Sequence, residues 1–254
     1  SFISPTEFVE LPSKGLLYGE DHPLHNVESI EIRHMTAKEE DILTSEALIK
    51  KGLALDRVLD AVIVDKALKA SQLLIGDKNA VLIAARITGF GPEYKVSVTC
   101  PACASSQECN VDLGEIENKT LSEQSSDITR LPNGNYEMVF AQYKDLAVEV
   151  RLLKGRDEFT IMQKREKRRK LKLPDANITD QLEMMIVRIN EVTEPSLLKK
   201  FVEQCPTRIS REIRSKYEEI VPDIDLSFAY SCENCDHTGK VGLPLTAEFF
   251  WPKS

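Results

Sequence analysis

The chain has 254 residues, of which 42% are hydrophobic and 29% charged, and its formal net charge is −8 at pH 7. This composition is typical of a globular protein and excludes wholly disordered and fibrous classes. The acidic balance argues against nucleic acid as the main partner, because phosphate binding depends on a basic surface.

Residues 1–30 are predicted to form an extended N-terminal arm. Prolines and glycines interrupt any helical period, yet apolar residues recur more often than in a free linker. We therefore expect the arm to lie against its own domain or against a partner. The residues assigned to partner contacts are Phe2, Phe8, Leu11, Leu16 and Leu17.

Residues 31–92 are predicted to form a helical domain. Thr36 and Glu39 have the spacing of a capping box, which starts a first helix that Gly52 ends. Apolar spacing predicts a second helix over Leu55–Leu68. A third, Lys78–Thr88, takes Asp77 as its N-cap and is apolar nearly all round, so we expect it to be central and buried.

The period of the pattern changes to two after residue 92, which indicates strands. Residues 93–114 and 223–254 are predicted to form a split, zinc-ribbon-like β module. Residues 115–222 read as an inserted, mainly helical module with a β-hairpin formed by Tyr136–Phe140 and Ala147–Leu153. The helices predicted in this insert span Arg156–Lys172, Thr179–Val192, Ser196–Gln204 and Thr207–Ile220.

Four of the six cysteines form two C-x-x-C pairs, Cys100/Cys103 and Cys232/Cys235, each after an alternating strand. Such pairs are typical of zinc knuckles, in which four thiolates surround one ion and leave no position open for catalysis. Closing the long loop between the pairs costs about 4 kcal/mol. A structural zinc site, at about 10–16 kcal/mol, outweighs that cost.

Two alternatives to bound zinc stay open: a ribbon fold that has lost its metal, and a redox pair. The redox interpretation is disfavoured because neither pair opens a helix after a strand. His237 is a candidate substitute ligand, although four cysteines suffice. Cys109 and Cys205 are interpreted as buried apolar residues.

Lys164–Lys172 is the most basic segment of the sequence. Its charges surround a helix instead of forming one stripe, and no aromatic residues are interleaved for base stacking. We favour a solvated helix or a contact with an acidic protein over nucleic-acid binding.

The sequence contains no pattern that indicates catalysis. The four histidines are scattered, and neither a phosphate-binding loop nor a nucleophile elbow is present. We therefore predict a non-enzyme without a small-molecule substrate. No apolar run approaches the roughly 18 residues of a membrane-spanning helix, and no secretory signal is recognisable, so no membrane partner is expected.

The C-terminal aromatic residues Phe249, Phe250 and Trp251 admit two interpretations of equal weight. They either close the core or anchor a partner, since aromatic residues dominate interface hot spots.

Several segments, taken in order along the chain, resemble the T-even-type baseplate hub and hub-assembly proteins of contractile-tailed bacteriophages. The segments are Leu11–Gly15, Ile75–Gly91, Val98–Cys103, Cys232–Cys235 and Phe249–Pro252. The resemblance implies a non-enzymatic role in building the baseplate, either as a virion hub subunit or as an assembly factor absent from the finished particle.

The expected protein is thus an α+β structural or assembly component of a baseplate hub, with structural Zn2+. Its expected partners are other baseplate and tail proteins, such as hub, spike or tape-measure proteins. Assembly in the bacterial cytoplasm agrees with reduced cysteines. The alternative is a cytoplasmic zinc-ribbon regulator that binds nucleic acid or the transcription machinery.

Overall fold

The computed structural model describes residues 4–119, 125–144, 146–245 and 247–250, which fold as a mixture of helices and antiparallel sheets, as the α+β prediction requires. The strands are β1 (Thr6–Glu10), β2 (Ser29–Arg33), β3 (Glu93–Thr99), β4 (Ser106–Asp112), β5 (Ile128–Arg130), β6 (Tyr136–Phe140), β7 (Leu146–Val150), β8 (Ile186–Ile189), β9 (Ser227–Ser231) and β10 (Thr238–Gly242). The helices are α1 (Ala37–Thr44), α2 (Glu46–Lys50), α3 (Ala54–Val62), α4 (Ile75–Phe90), α5 (Gly155–Lys170), α6 (Asn177–Met185), α7 (Pro195–Gln204) and α8 (Thr207–Ile220). Within the described residues, no helix has the length and apolar character that a bilayer crossing requires.

The buried apolar residues divide into two clusters. The first core joins the segments around β1, β2 and α1–α4 to the hairpins β3–β4 and β9–β10 and to Phe249 and Phe250. The second core lies between the four-stranded sheet β5–β6–β7–β8 and the helices α6–α8. Helix α5 contributes little to either cluster, because only Gly155 and Asp157 among its residues are buried.

The chain leaves the first core and returns to it at neighbouring points. Asn118 and Ile224 form an antiparallel bridge, and the Lys119 amide donates to the Asp223 carbonyl at 2.8 Å. Gly76 of α4 packs on the segment between α8 and β9 so closely that a Cβ there would lie 2.0 Å from the Pro222 carbonyl oxygen. The second core therefore belongs to an inserted module, and the two chain segments that enter and leave this module lie together beside α4.

The N-terminal segment differs from the predicted extended arm. β1 pairs with β2 over its whole length, and Leu11, Tyr18 and Leu24 are buried in the first core. The sequence suggested an arm because its prolines and glycines exclude a helix. They do not exclude a short strand followed by tight turns, in which an apolar residue is buried every few positions along the chain.

The helical domain also differs from prediction in its details. The predicted first helix is two helices, because the Ser45 hydroxyl accepts the Leu48 amide and starts α2. The second ends at Val62 instead of residue 68. The third begins at Ile75, so Asp77 lies inside α4 and is not its N-cap. The expectation that this helix is central and buried is confirmed, since ten of its residues are buried.

In the insert, α8 and β6 have the predicted bounds. The predicted helix over residues 179–192 is wrong in its second half, where Ile186–Ile189 form β8. β8 pairs with β7 through Val148 and Ile189, a long-range contact that an apolar run at helical spacing does not reveal.

Candidate metal centre

The four paired cysteines lie together at the turns of two β-hairpins. Cys100 and Cys103 occupy the turn between β3 and β4, and Cys232 and Cys235 occupy the turn between β9 and β10. The Cys100 and Cys235 sulfurs are 3.8 Å apart, and the Cys103 and Cys232 sulfurs are 3.7 Å apart. All four sulfurs lie within 4.8 Å of one another. Two segments far apart in sequence thus meet at one point.

Backbone hydrogen bonds shape each turn. The Cys100 amide donates to the Ser105 carbonyl at 2.8 Å, and the Ala104 amide donates to the Cys100 carbonyl at 2.9 Å. Ala104 has φ of 58°, which closes the turn in the left-handed region. In the second hairpin the Cys232 amide donates to the His237 carbonyl at 2.9 Å. These bonds bring the two sulfurs of each pair to the same side of their turn.

Two polar residues that the sequence did not single out connect the hairpins. Gln107 donates to the Ser231 carbonyl at 2.8 Å and accepts the Glu233 amide at 2.9 Å. The Ser105 hydroxyl lies 2.9 Å from the Cys103 sulfur and 3.4 Å from that of Cys232. Only their positions, two and four residues after Cys103, hint at this role, and polar residues are common there.

The arrangement fits a tetrahedral ion. Zinc–sulfur bonds of about 2.3 Å in a tetrahedron require sulfurs about 3.8 Å apart, and two of the sulfur pairs are at 3.7 and 3.8 Å. Cys100 and Cys232 are buried, Cys235 is half-buried and Cys103 is exposed. Four sulfurs fill all positions of such an ion, so this geometry suits a structural site.

The sulfurs do not ionise equally in the absence of a cation. Hydrogen bonds from Ser105 lower the pKa of Cys103 to about 6, and the Ser105 hydroxyl also lowers the pKa of Cys232. For Cys235 a backbone hydrogen bond from His237 is outweighed by bonds to the neighbouring sulfurs and by burial, which raise its pKa to about 12. Crowded thiolates repel one another, and a bound cation would relieve that repulsion.

The remaining cysteines and His237 lie outside this group. Among the described residues, the group that could hold a metal ion consists of the four paired cysteines and does not include His237. Cys109 and Cys205 are half-buried instead of fully buried, and they pack at the edges of the first and second cores respectively. Their positions against the cores agree with the interpretation of these two thiols as small apolar residues, although neither is fully buried.

The residues assigned to partner contacts are divided by the structure. Leu11, Phe249 and Phe250 are buried in the first core. For Leu11 this differs from the predicted partner contact, and for the two phenylalanines it favours the interpretation that they close the core. Leu17 is half-buried, whereas Phe8 and Leu16 are exposed. Phe2 and Trp251 lie outside the described residues.

Helix α4 carries a second set of residues that the sequence did not reveal. The buried Asp77 carboxylate accepts bonds from the Ser13 amide and hydroxyl at 2.9 and 2.6 Å and from the Tyr18 hydroxyl at 2.7 Å. Fully buried Arg86 donates to the carbonyls of Gly91, Phe249 and Glu93 at 2.7, 3.1 and 3.2 Å. Two segments that carry the phage resemblance, residues 11–15 and 75–91, are thus in direct contact.

A family of known proteins matches nearly the whole chain. Residues 5–251 match the model of a family described as T4 bacteriophage base plate protein, so the match includes both cores and all four cysteines of the cluster. Searches of the curated proteins and of the solved structures found no match to the chain.

Proposed function

The chain belongs to the T4 bacteriophage base plate protein family, and we propose that it acts in the baseplate hub of a contractile tail through protein–protein contacts. The observation that carries this proposal is a family match over nearly the whole chain. The position in the hub rests on the sequence resemblance to hub and hub-assembly proteins.

A non-enzymatic role is part of the proposal. Four sulfurs would complete the coordination of a tetrahedral ion and leave no position for a substrate or an attacking water. The chain's polar clusters, such as Asp77 with Ser13 and Tyr18, are buried and mutually bonded. Groups arranged in this way stabilise a fold.

We further propose that the cysteine cluster holds a structural Zn2+, which makes the two hairpins a zinc-ribbon-like unit. Soft thiolate ligands in a tetrahedron favour zinc over hard cations such as Mg2+. An ion bound here would join the β3–β4 turn to the β9–β10 turn. The protein's own residues orient the sulfurs through Ser105 and Gln107.

The proposed partners are other baseplate and tail proteins, including hub, spike or tape-measure proteins. Assembly in the bacterial cytoplasm would keep the cysteines reduced and available to metal. Both roles implied by the resemblance remain candidates: a hub subunit of the virion, and an assembly factor that leaves before completion.

The test of the function is a phage that carries a stop codon in this gene. We expect host lysates without complete baseplates, and rescue by the wild-type chain supplied from a plasmid. Immunoblots of purified rescued virions then separate the roles, because a hub subunit is present and an assembly factor is absent. Normal particle yield without the chain would contradict the proposal.

The test of the metal is elemental analysis of the purified protein. We expect one zinc per chain, lost in Cys232→Ser and retained in Cys109→Ser, a matched change of a thiol outside the cluster. A metal-free wild-type protein, purified without chelator, would contradict the zinc proposal and leave the baseplate role untouched.

The nucleic-acid alternative has a separate test. A regulator of that kind would bind a DNA duplex with an affinity that falls steeply as salt rises. We expect no such binding at physiological salt, because the net charge of the chain is −8.

A further inference from the structure

A wide cleft separates the corner between α2 and α3 from the C-terminal half of α5. Its volume is about 1190 Å3, and its walls are Ile49–Gly52 on one side and Thr160–Asp175 on the other. The cleft lies outside the metal centre and has no part in the proposed metal chemistry.

The base of the cleft is closely packed. Gly52 has φ of 67°, and a Cβ at this position would lie 2.1 Å from the Met162 Cε. The Met162 side chain therefore rests directly on the backbone of the α2–α3 corner. This contact sets the distance between the two walls, so the cleft is a built feature of the fold.

The lining is strongly basic although the whole chain is acidic. Eight basic side chains face two acidic ones, Glu166 and Asp175. Five of these cations have ion-pair partners: Lys164 pairs with Glu183 at 2.9 Å, Lys50 with Glu46, Arg165 with Asp175, and Arg169 and Lys170 with Glu166. Lys51, Lys167 and Lys172 form no ion pair with any described residue. The negative end of the α5 dipole, about half a charge, offsets only a small part of this excess.

Exposed aliphatic side chains lie among the cations. Ile49 and Leu173 line the cleft and are 43% and 53% exposed. A second concavity of about 590 Å3 shares Ile49, Gly52, Met162 and Arg165 with the first and continues it between α3, α4 and α5. The walls of this continuation include the apolar residues Leu55, Leu82, Phe159 and Leu245.

We propose that this cleft docks an acidic segment of a partner protein, with carboxylates against the lysines and arginines and an aliphatic side chain against Ile49 and Leu173. Charge complementarity selects an anionic occupant, and the apolar continuation selects a peptide over a bare phosphate chain. Among the described residues, the basic cleft itself has no aromatic side chain to stack on bases, and Phe159 lines only its continuation. This disfavours single-stranded nucleic acid, whose bases stack along a series of aromatic residues.

The biological meaning of this inference rests on the proposed baseplate role, since the occupant is then a neighbouring tail protein. Its physical content does not depend on that role, because binding is measurable on the isolated full chain. The two proposals can therefore fail separately.

The experiment measures fluorescence anisotropy of a labelled, Glu-rich peptide that carries two leucines. The comparison probes are the same peptide with glutamine for glutamate, a peptide with serine for leucine, and a single-stranded DNA oligonucleotide of similar charge. We expect the Glu–Leu peptide to bind most tightly and the glutamine peptide to bind roughly ten-fold more weakly.

Charge reversal locates the site. The cleft variant combines Lys51→Glu, Arg169→Glu and Lys172→Glu, all exposed residues. The matched control combines Lys199→Glu, Lys200→Glu and Arg208→Glu on α7 and α8, which are also exposed and change the net charge equally. We expect roughly ten-fold weaker peptide binding in the cleft variant and less than about two-fold in the control.

Each outcome decides the proposal. Loss confined to the cleft variant, with unchanged thermal melting, supports it. Equal losses in both variants would show a general charge effect, and tighter binding of DNA than of peptide would replace the proposed partner class; either result overturns the inference. Absence of peptide binding to the wild-type chain also overturns it, whereas the particle-yield test of the baseplate role stands apart.

Discussion

The two cores differ in how far apart in sequence their parts lie. The buried residues of the first core lie within residues 9–113 and 224–250, on either side of a whole module. Those of the second core lie within one stretch, residues 128–220, and half-buried Leu17 and Ile75 pack against them from outside it. Because distant contacts cost loop-closure entropy, a core assembled from both ends of a chain depends more on strong cross-links.

The cross-links of the first core are polar groups and sulfurs, most of them buried or half-buried. Asp77 holds residues 13 and 18, Arg86 holds the carbonyls of Gly91, Glu93 and Phe249, and the sulfurs join two hairpins. In the second core, Arg188 reaches Glu137 and Glu149 across a partly exposed sheet face. Buried polar groups therefore join the two ends of the chain in the first core. In the second core they join parts of one stretch, as where the buried Tyr217 hydroxyl accepts the Leu153 amide at 2.9 Å.

The largest expected effect comes from removing the proposed metal or one ligand. Structural zinc contributes up to about 10–16 kcal/mol of apparent binding energy, so Cys232→Ser or a chelator should destabilise the first core severely. The measurement is amide hydrogen exchange, in which β3 and β9 should lose protection while β6 and β7 keep theirs. Cys109→Ser is the matched control and should change little. An equal loss of amide protection in both cores would show that they unfold as one cooperative unit and would contradict the distinction between them.

The second largest effect is expected for Arg86→Met. This change leaves the buried Phe249 carbonyl and the partly buried Gly91 and Glu93 carbonyls without their donor. It should cost about 3–5 kcal/mol of unfolding free energy. Urea denaturation measures the loss. Arg169→Met, on the exposed face of α5, is the control and should stay within about 0.5 kcal/mol. A similar cost in both variants would show that Arg86 does not connect the chain ends.

The third effect depends on pH and involves Glu39, whose side chain is 2% exposed. Burial opposes ionisation, but hydrogen bonds from Arg33 and Thr36 outweigh it and lower the pKa of Glu39 from 4.5 to about 2. A pKa that is lower in the folded state than in the unfolded state stabilises the fold at any pH above the ordinary pKa of 4.5. This stabilisation is lost as the pH falls from 4.5 through about 2. At neutral pH it is on the order of 3 kcal/mol.

Glu39→Gln should remove that contribution, so its urea midpoint should fall at pH 7 and approach the wild-type midpoint near pH 2. Burial raises the pKa of Asp77 and gives the opposite pH dependence. Both the wild-type chain and the Glu39→Gln variant retain Asp77, so the difference between their urea midpoints reports on Glu39. Glu40→Gln, at the next and exposed position, should leave the midpoint unchanged. A parallel offset at all pH values would show that the Glu39 charge is not responsible.

Local patterns in the sequence predicted the parts of the fold that depend on neighbours. The C-x-x-C spacing identified all four clustered cysteines, because each pair is formed within one turn. The α8 helix was equally readable, since its apolar residues Ile209, Ile213, Tyr217 and Ile220 keep helical spacing and are buried.

Prediction from the sequence failed for residues whose environment is set by a segment far away along the chain. Asp77 at a helix start is the ordinary signature of a cap, and only Ser13 and Tyr18 make it an interior residue. Leu11 and Phe249 read equally well as partner contacts because nothing local shows what covers them. Gln107 was overlooked for the same reason, since its partners lie more than a hundred residues away.

The smallest effect on stability is expected for the combined change Phe8→Ser and Leu16→Ser, which tests the remaining partner surface of the N-terminal segment. Both side chains are large and apolar, and they are 71% and 55% exposed. Little apolar area returns to water when they are replaced, so the unfolding free energy should change by less than about 0.5 kcal/mol.

The same variant should nevertheless lower the yield of complete phage particles if this edge of the first core contacts another tail protein. Leu197→Ser on α7 is the control from the second core, because Leu197 is 52% exposed. Unchanged yield in both variants would show that exposed apolar residues of the two cores are equally free of partners. Reduced yield only for Phe8 and Leu16, with a normal melt, would place a partner contact on the first core, whose N-terminal strand β1 carries Phe8 beside the segment that bonds to Asp77. The core that depends on distant cross-links would then also be the one that presents a surface to the assembly.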